Sequence, residues 1–146
     1  MSKFIGVKMV EAVPMTAKKA IEKHYRVGQN GAIVPPTTAG YEVIYEDGYK
    51  SWCPANVFEK KNIKIVEENI TDTVSIPDNQ EDYVKRLGIE HNELVSKYTK
   101  LVAFTNTNTF NNLREDRKQR LLIQSDIMKA YIAILQERIN DAIVER

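Results

Sequence analysis

The sequence has little of what catalytic and metal sites are built from. It holds two histidines, His24 and His91, and one cysteine, Cys53, none near another along the chain. A Cys/His zinc site needs several such ligands at short spacings, so no metal site is expected. A single cysteine also excludes an internal disulfide, which fits a reducing cytosol. A glycine-rich phosphate loop, a nucleophile elbow and a zincin motif are all missing. No apolar run approaches the ~20 residues of a membrane span, and no signal peptide is visible. Charge of one sign is lacking too. The net charge is +1, with ten Lys or Arg against seven Asp or Glu in residues 1–67, and eleven against thirteen in 68–146. That balance gives no basic field for DNA or RNA. The expectation is a protein without enzyme activity, catalytic residues or cofactor, and with neither nucleic acid nor membrane as partner.

What is present lies mostly in the second half. Residues 80–146 read as two long helices joined by a short polar loop. Asp78 and Asn79 suit an N-cap, and Gln80, Glu81 and Asp82 suit the first turn that follows. Apolar residues then recur at Val84, Leu87, Leu94, Tyr98 and Leu101 by threes and fours, with His91 in the missing step. That is heptad spacing, and it makes His91 a core or interface residue. Gly88 is a weak point costing about 1 kcal/mol against alanine. The run Thr105-Asn-Thr-Asn-Thr109 marks the turn.

The second helix is expected from about residue 113 to the end. Leu121, Met128, Leu135 and Ala142 stand seven apart, flanked by Ile127 and Ile134 on one side and Ile132 and Ile139 on the other. Tyr131 and Arg138 lie between these rows. Such a face is wider than one partner helix covers, which predicts oligomerisation through it. An arginine buried in that stripe needs a counter-charge or an anionic ligand, and an acid on another helix serves as well as a ligand. Arg114, Arg117, Lys118 and Arg120 open the same helix, where cations oppose the helix dipole. A phosphate there would satisfy both the guanidinium groups and the free N–H groups; Glu115 and Asp116 balance the turn otherwise. Lys100 and Phe104 add a cation and a ring near the loop end.

The first half reads as β-rich. Residues 4–13 read as a strand that Pro14 ends, and Thr16 caps a short helix over 17–24 with Ala20 and Ile21 inward. A glycine- and proline-rich loop around Gly28, Gly31, Pro35, Pro36 and Gly40 follows, in which 32–34 suits a brief strand. Tyr41-Glu-Val-Ile-Tyr45 and Tyr49-Lys-Ser-Trp52 flank Asp47-Gly48, a hairpin-turn dipeptide. Pro54 starts a helical turn with Val57 and Phe58, and 62–66 alternates like another strand. The expected division is a β-rich module at 1–67, a polar linker at 68–79 and a helical hairpin at 80–146. The fold class is α+β.

The hairpin, through Lys100-Leu-Val-Ala-Phe104, Met128-Lys-Ala-Tyr131 and Leu135-Gln-Glu-Arg138-Ile139, resembles the hairpin domain shared by two groups of phage proteins. These are the first Thoeris anti-defence family and the second anti-CBASS family. The β-rich part in front is similar to the Thoeris group. The resemblance implies a sponge in the host cytoplasm that binds immune second-messenger nucleotides without cleaving them. It implies a cyclic ADP-ribose isomer from a TIR-domain enzyme as ligand, with cyclic di- or trinucleotides at separate pockets, and dimers assembling into hexamers. Lys100 and Arg138 match family positions, while Val102 replaces a frequent threonine. For the cyclic ADP-ribose pocket, an aromatic for adenine and arginines for the pyrophosphate are expected among Trp52, Phe104, Phe110, Arg114, Arg117 and Arg120. Tyr131 joins Arg138 on the stripe. The alternative is an oligomeric phage structural or interaction protein with no nucleotide ligand.

Overall fold

The computed structural model describes residues 1–28 and 32–144. Gly31 of the expected loop and the last two residues of the expected second helix lie outside them. The fold is α+β, as expected, and the chain divides into two compact units, Met1–Asn62 and Ile63–Arg146. The segment 68–79 therefore falls inside the second unit.

The first unit is a three-stranded antiparallel sheet, β1 (Val10–Pro14), β2 (Gly40–Tyr45) and β3 (Lys50–Pro54), in that order. The expected hairpin forms with a three-residue loop. Gly48 takes φ +85°, and the Asp47 carboxylate accepts the Tyr49 N–H at 2.9 Å. This is the left-handed glycine that a type I turn needs before a strand resumes. Residues 4–9 are not strand. β2 ends at Tyr45 opposite Val10, so no described residue pairs with them, and Phe4 and Ile5 stay exposed. Residues 32–34 and 62–66 form no strand either, and Ile33 is exposed.

Thr16 caps α1 (Ala17–Glu22) through its side chain. The helix stops short of His24, whose φ of 64° places it in the left-handed region after the helix end. Ala17 and Ala20 face inward, whereas Ile21 is exposed. These alanines, Met15 and Trp52 form the core of the unit. The Trp52 indole N–H donates to the Met15 carbonyl at 2.8 Å. Its ring lies so close to Gly40 that a Cβ there would be 2.4 Å from it. α2 (Ala55–Lys61) follows β3, with Phe58 tilted against Tyr41.

Glu42 is buried in this sheet and accepts the Tyr25 hydroxyl, with Lys23 at 3.5 Å. The Tyr25 hydrogen bond holds its carboxyl below the usual range; Lys23 assists and burial opposes. A carboxylate depressed in the folded state adds stability above its unfolded pKa and loses it as pH falls through the folded value. Tyr25→Phe removes the largest cause. The gap in urea midpoint between wild type and this variant, read by the fluorescence of the chain's one tryptophan, is expected to be full at neutral pH. It should close as pH falls through the carboxylate range; a gap independent of pH would mean that Glu42 is not its source.

The second unit is an antiparallel pair, α3 (Asp82–Thr105) and α5 (Glu115–Val144), joined through one short turn, α4 (Asn108–Asn111). α3 starts at Asp82 with Glu81 as N-cap, later than Asp78 and Asn79 would place it, because a turn closed by Gln80 N–H on the Pro77 carbonyl intervenes. Its buried face is Val84, Leu87, Gly88, His91, Val95 and Tyr98. Opposite stand Ile132, Leu135, Ile139 and Ala142 of α5. Two clusters form along the seam, one around Leu87, Leu135 and Ile139, the other around Val95, Tyr98 and Ile132.

The stretch in front of α3 packs rather than hangs free. Ile65 and Ile70 join one cluster, and Val74 and Ile76 join the other. The Asn92 side-chain amide grips the Val74 backbone on both sides, donating to its carbonyl at 2.9 Å and accepting its N–H at 2.8 Å. Lys129 pairs with Glu67 at 2.9 Å. Gly88 makes room for this strap, since a Cβ there would lie 2.5 Å from Ile76 Cγ1. Helix propensity favours Gly88→Ala by about 1 kcal/mol, but overpacking costs about 1–3 kcal/mol. The substitution is expected to destabilise the wild type and to stabilise an Ile76→Ala background. Urea unfolding of the four proteins checks this; the same sign in both backgrounds would disprove the packing.

Candidate functional site

The candidate ligand residues singled out in the sequence fall into two patches along the hairpin and one place in the sheet unit. The first patch is at the loop end of the hairpin. Thr107 caps α4 and turns Phe110 inward, where it is buried edge-to-face against half-buried Phe104, ring centres 6.0 Å apart. Lys100 is exposed one turn earlier. At the start of α5 the acids take most of the cations. Asp116 holds Arg114 at 3.2 Å and Arg120 at 3.3 Å, and Glu115 holds Lys118 at 3.2 Å. Glu115 is held below the usual carboxylate range, first by Gln119 and then by Lys118. Arg117 is exposed and makes no ion pair among the described residues. With Arg120, Leu113 and Leu121 it lines a shallow, largely apolar depression.

Exposed ion pairs of this kind contribute about 0–1 kcal/mol each. Arg117 is the one guanidinium of this turn without an acid partner among the described residues.

The second patch is Tyr131 and Arg138. Arg117 to Arg138 is twenty-one residues of one helix, or about 32 Å at 1.5 Å per residue. Arg120 and Tyr131, the nearest members of the two patches, are eleven residues or about 17 Å apart on the same helix. Within the chain Arg138 is exposed, not buried as the stripe suggested, and Tyr131 is 39% exposed. The physical reason is azimuth: α3 covers the Ile132–Ile139 side of the broad face and leaves the other side open. Arg138 has no ion pair among the described residues. The Tyr131 hydroxyl donates to Glu90 of α3. That bond raises the Tyr131 pKa, with Arg138 pulling the other way.

Trp52 is 7% exposed, with its N–H engaged by Met15. It is a core residue of the sheet unit, and its ring faces are taken by packing. Cys53 is half-buried on β3, and burial pushes its thiol up, away from a reactive thiolate. His91 is a seam residue, 1% exposed. Sequence reasoning missed Glu90 as a partner of Tyr131 and Asn92 as a clamp. Helical spacing placed both beside the stripe, but what they reach is set by contacts distant in sequence. Among the described residues no three His, Cys, Asp or Glu gather as metal ligands, and no helix is long and apolar enough to cross a membrane.

Residues 81–141 match the model of a protein family described as Sequestin. The match spans α3, the turn and nearly all of α5, so both patches lie inside it. No curated protein and no solved structure matches the chain.

Proposed function

We propose that this protein is a phage anti-defence sponge. It binds immune second-messenger nucleotides, cyclic ADP-ribose isomers made by TIR enzymes and also cyclic di- or trinucleotides, and withholds them uncleaved. The observation that carries the reading is the similarity of the hairpin to a family whose description denotes sequestration. Chemistry agrees with it. Arg117 and Arg138 are cations without acid partners among the described residues. Arg138 lies close enough to Tyr131 for its charge to act on the phenol, and the Tyr131 ring is 39% exposed and can meet a base. In this reading the ligand is held and not turned over, and no paired base and nucleophile is found among the described residues.

Assembly belongs to the same reading. Ile123, Ile127, Tyr131 and Ile134 follow one another by four, four and three along the side of α5 that α3 leaves uncovered. Subunits that meet on this stripe, as dimers building a hexamer, surround Arg138 and give it an anion to face. The rival reading is an oligomeric phage structural or interaction protein. It draws on the same stripe and on the pairing of Arg114, Lys118 and Arg120 within the chain.

Calorimetric titration against a panel of cyclic nucleotides separates the two. The sponge reading expects saturable heat with one member, weakened about tenfold or more by Arg117→Ala or by Arg138→Ala. If no member of the panel binds, the scaffold reading stands. If binding is unchanged in both variants, the cation assignment is wrong.

A further inference from the structure

We infer that α5 pairs antiparallel with α5 of a second copy about a two-fold axis at Ile127, so that Arg138 of each chain meets Asp116 of the other. The inference rests on the assembly proposed above and gives it a geometry.

Ile123, Ile127, Tyr131 and Ile134 are exposed along the side of α5 that α3 leaves open. The same steps of three and four run outward to Arg120 and Asp116 at one end, and to Arg138 and Asp141 at the other. At about 100° per residue, all of them fall within about 80° of the helix circumference. The four charged residues are exposed as well. The stripe is therefore apolar in its middle and carries one acid and one arginine at each end.

Two of these charges have capacity to spare. Arg138 has no ion pair among the described residues. Arg114 and Arg120 both take Oδ2 of Asp116, at 3.2 and 3.3 Å, and no hydrogen bond to its Oδ1 occurs among the described residues. That oxygen can accept a third guanidinium.

Copies that meet about a two-fold axis set residue i of one opposite residue j of the other, and j opposite i. A parallel pair would stack Arg138 on Arg138 and Asp116 on Asp116. An antiparallel pair reverses one stripe. Asp116 and Arg138 are twenty-two residues apart on α5, or about 33 Å. Setting each level with the other puts the axis at their midpoint, Ile127. Ile123 then meets Tyr131, and the stem of Arg120 lies along Ile134. Asp141 falls three residues beyond the Asp116 level, at the solvent edge of the pair. Sliding one copy by a turn would set Arg120 level with Arg138, like charge on like, so the charges favour the first register. In the ligand-free assembly the anion that Arg138 faces is this carboxylate.

Two measurements on the full chain test the pairing. In the first, Ile127→Cys and Ile134→Cys are each oxidised mildly and the linked peptides mapped, with wild type as control for Cys53. A disulfide needs Cα atoms within about 7 Å. Ile127→Cys is expected to link two chains through position 127. The two copies of position 134 lie about fourteen residue steps apart along the pair, or about 21 Å, and are expected to stay unlinked. In the second, Arg138→Asp and Asp116→Arg are each expected to weaken self-association about tenfold or more in sedimentation. The double variant is expected to recover most of it, which a merely structural loss would not do. Links at both positions mean a parallel pair and overturn the proposal. Links at neither, or a double variant as weak as the single ones, overturn it too. Wild type that associates in this register yet takes up no nucleotide upholds the pairing and refutes the sponge. Wild type that takes up nucleotide as single chains refutes the pairing and leaves the sponge standing.

Discussion

Replacing Ile127 and Ile134 together by glutamate is expected to turn an assembled protein into single chains with unchanged helix content. In the single chain Ile127 is 45% and Ile134 is 37% exposed, so neither carboxylate would have to enter the hairpin core. In an assembly closed over this stripe both would be buried without a partner, each costing several kcal/mol. The native isoleucines contribute about 1.5–3 kcal/mol each when fully covered. Lost attraction and added repulsion act together, and at every copy of the interface. Analytical ultracentrifugation reads the outcome, with circular dichroism as control. Wild type running as a single chain at tens of micromolar would remove the basis for assembly through α5.

The second large effect concerns the part of the same helix that α3 covers. Leu135 is fully buried against Leu87 and Ile139. Leu135→Ala is expected to destabilise the hairpin by about 2–5 kcal/mol, the range for a cavity left in a packed core. Native domains are stable by only about 5–15 kcal/mol, so the hairpin should be partly unfolded or melt many degrees lower. Ile134→Ala, one residue away, is expected to change folding stability by well under 1 kcal/mol at a concentration where the chain is single. Equal costs at the two positions would show that α3 does not pack on the side described.

The contrast between Leu135 and Ile134 marks where the sequence is legible and where it is not. Steps of three and four told that 80–146 folds as a hairpin, and Asp47-Gly48 told that two strands meet there. Both signals are local. Which half of a broad stripe faces the partner helix is not local. Leu121, Met128, Leu135 and Ala142 mark a midline with isoleucines on either side, so the pattern is nearly symmetric, and the choice falls to α3. Arg138 was placed on that midline, and the choice of the Ile132 side left it exposed. The strap was hidden for a similar reason. Ile70, Val74 and Ile76 are diluted among polar residues, and the Asn92 clamp on Val74 spans eighteen residues.

Candidate site residues divide by the same logic. The cations at the start of α5 sit where the sequence placed them, because a helix N-terminus is a local feature. Their pairing with Asp116 and Glu115 comes from steps of two, three and four along the chain, and could be anticipated. Trp52 could not be assigned by spacing. An isolated aromatic reads as a stacking platform or as core, and only the close approach over Gly40 decides for core. His91 was legible as a seam residue, and its contact with the Asn92 side chain was not.

A sponge captures a small anionic messenger and gives it back whole. The most direct measurement is to incubate the purified chain with a cyclic ADP-ribose isomer, remove free nucleotide, heat the protein and chromatograph what is released. The account predicts the same nucleotide, intact, in proportion to the protein used. Fragments of it, or no nucleotide at all, would contradict the account.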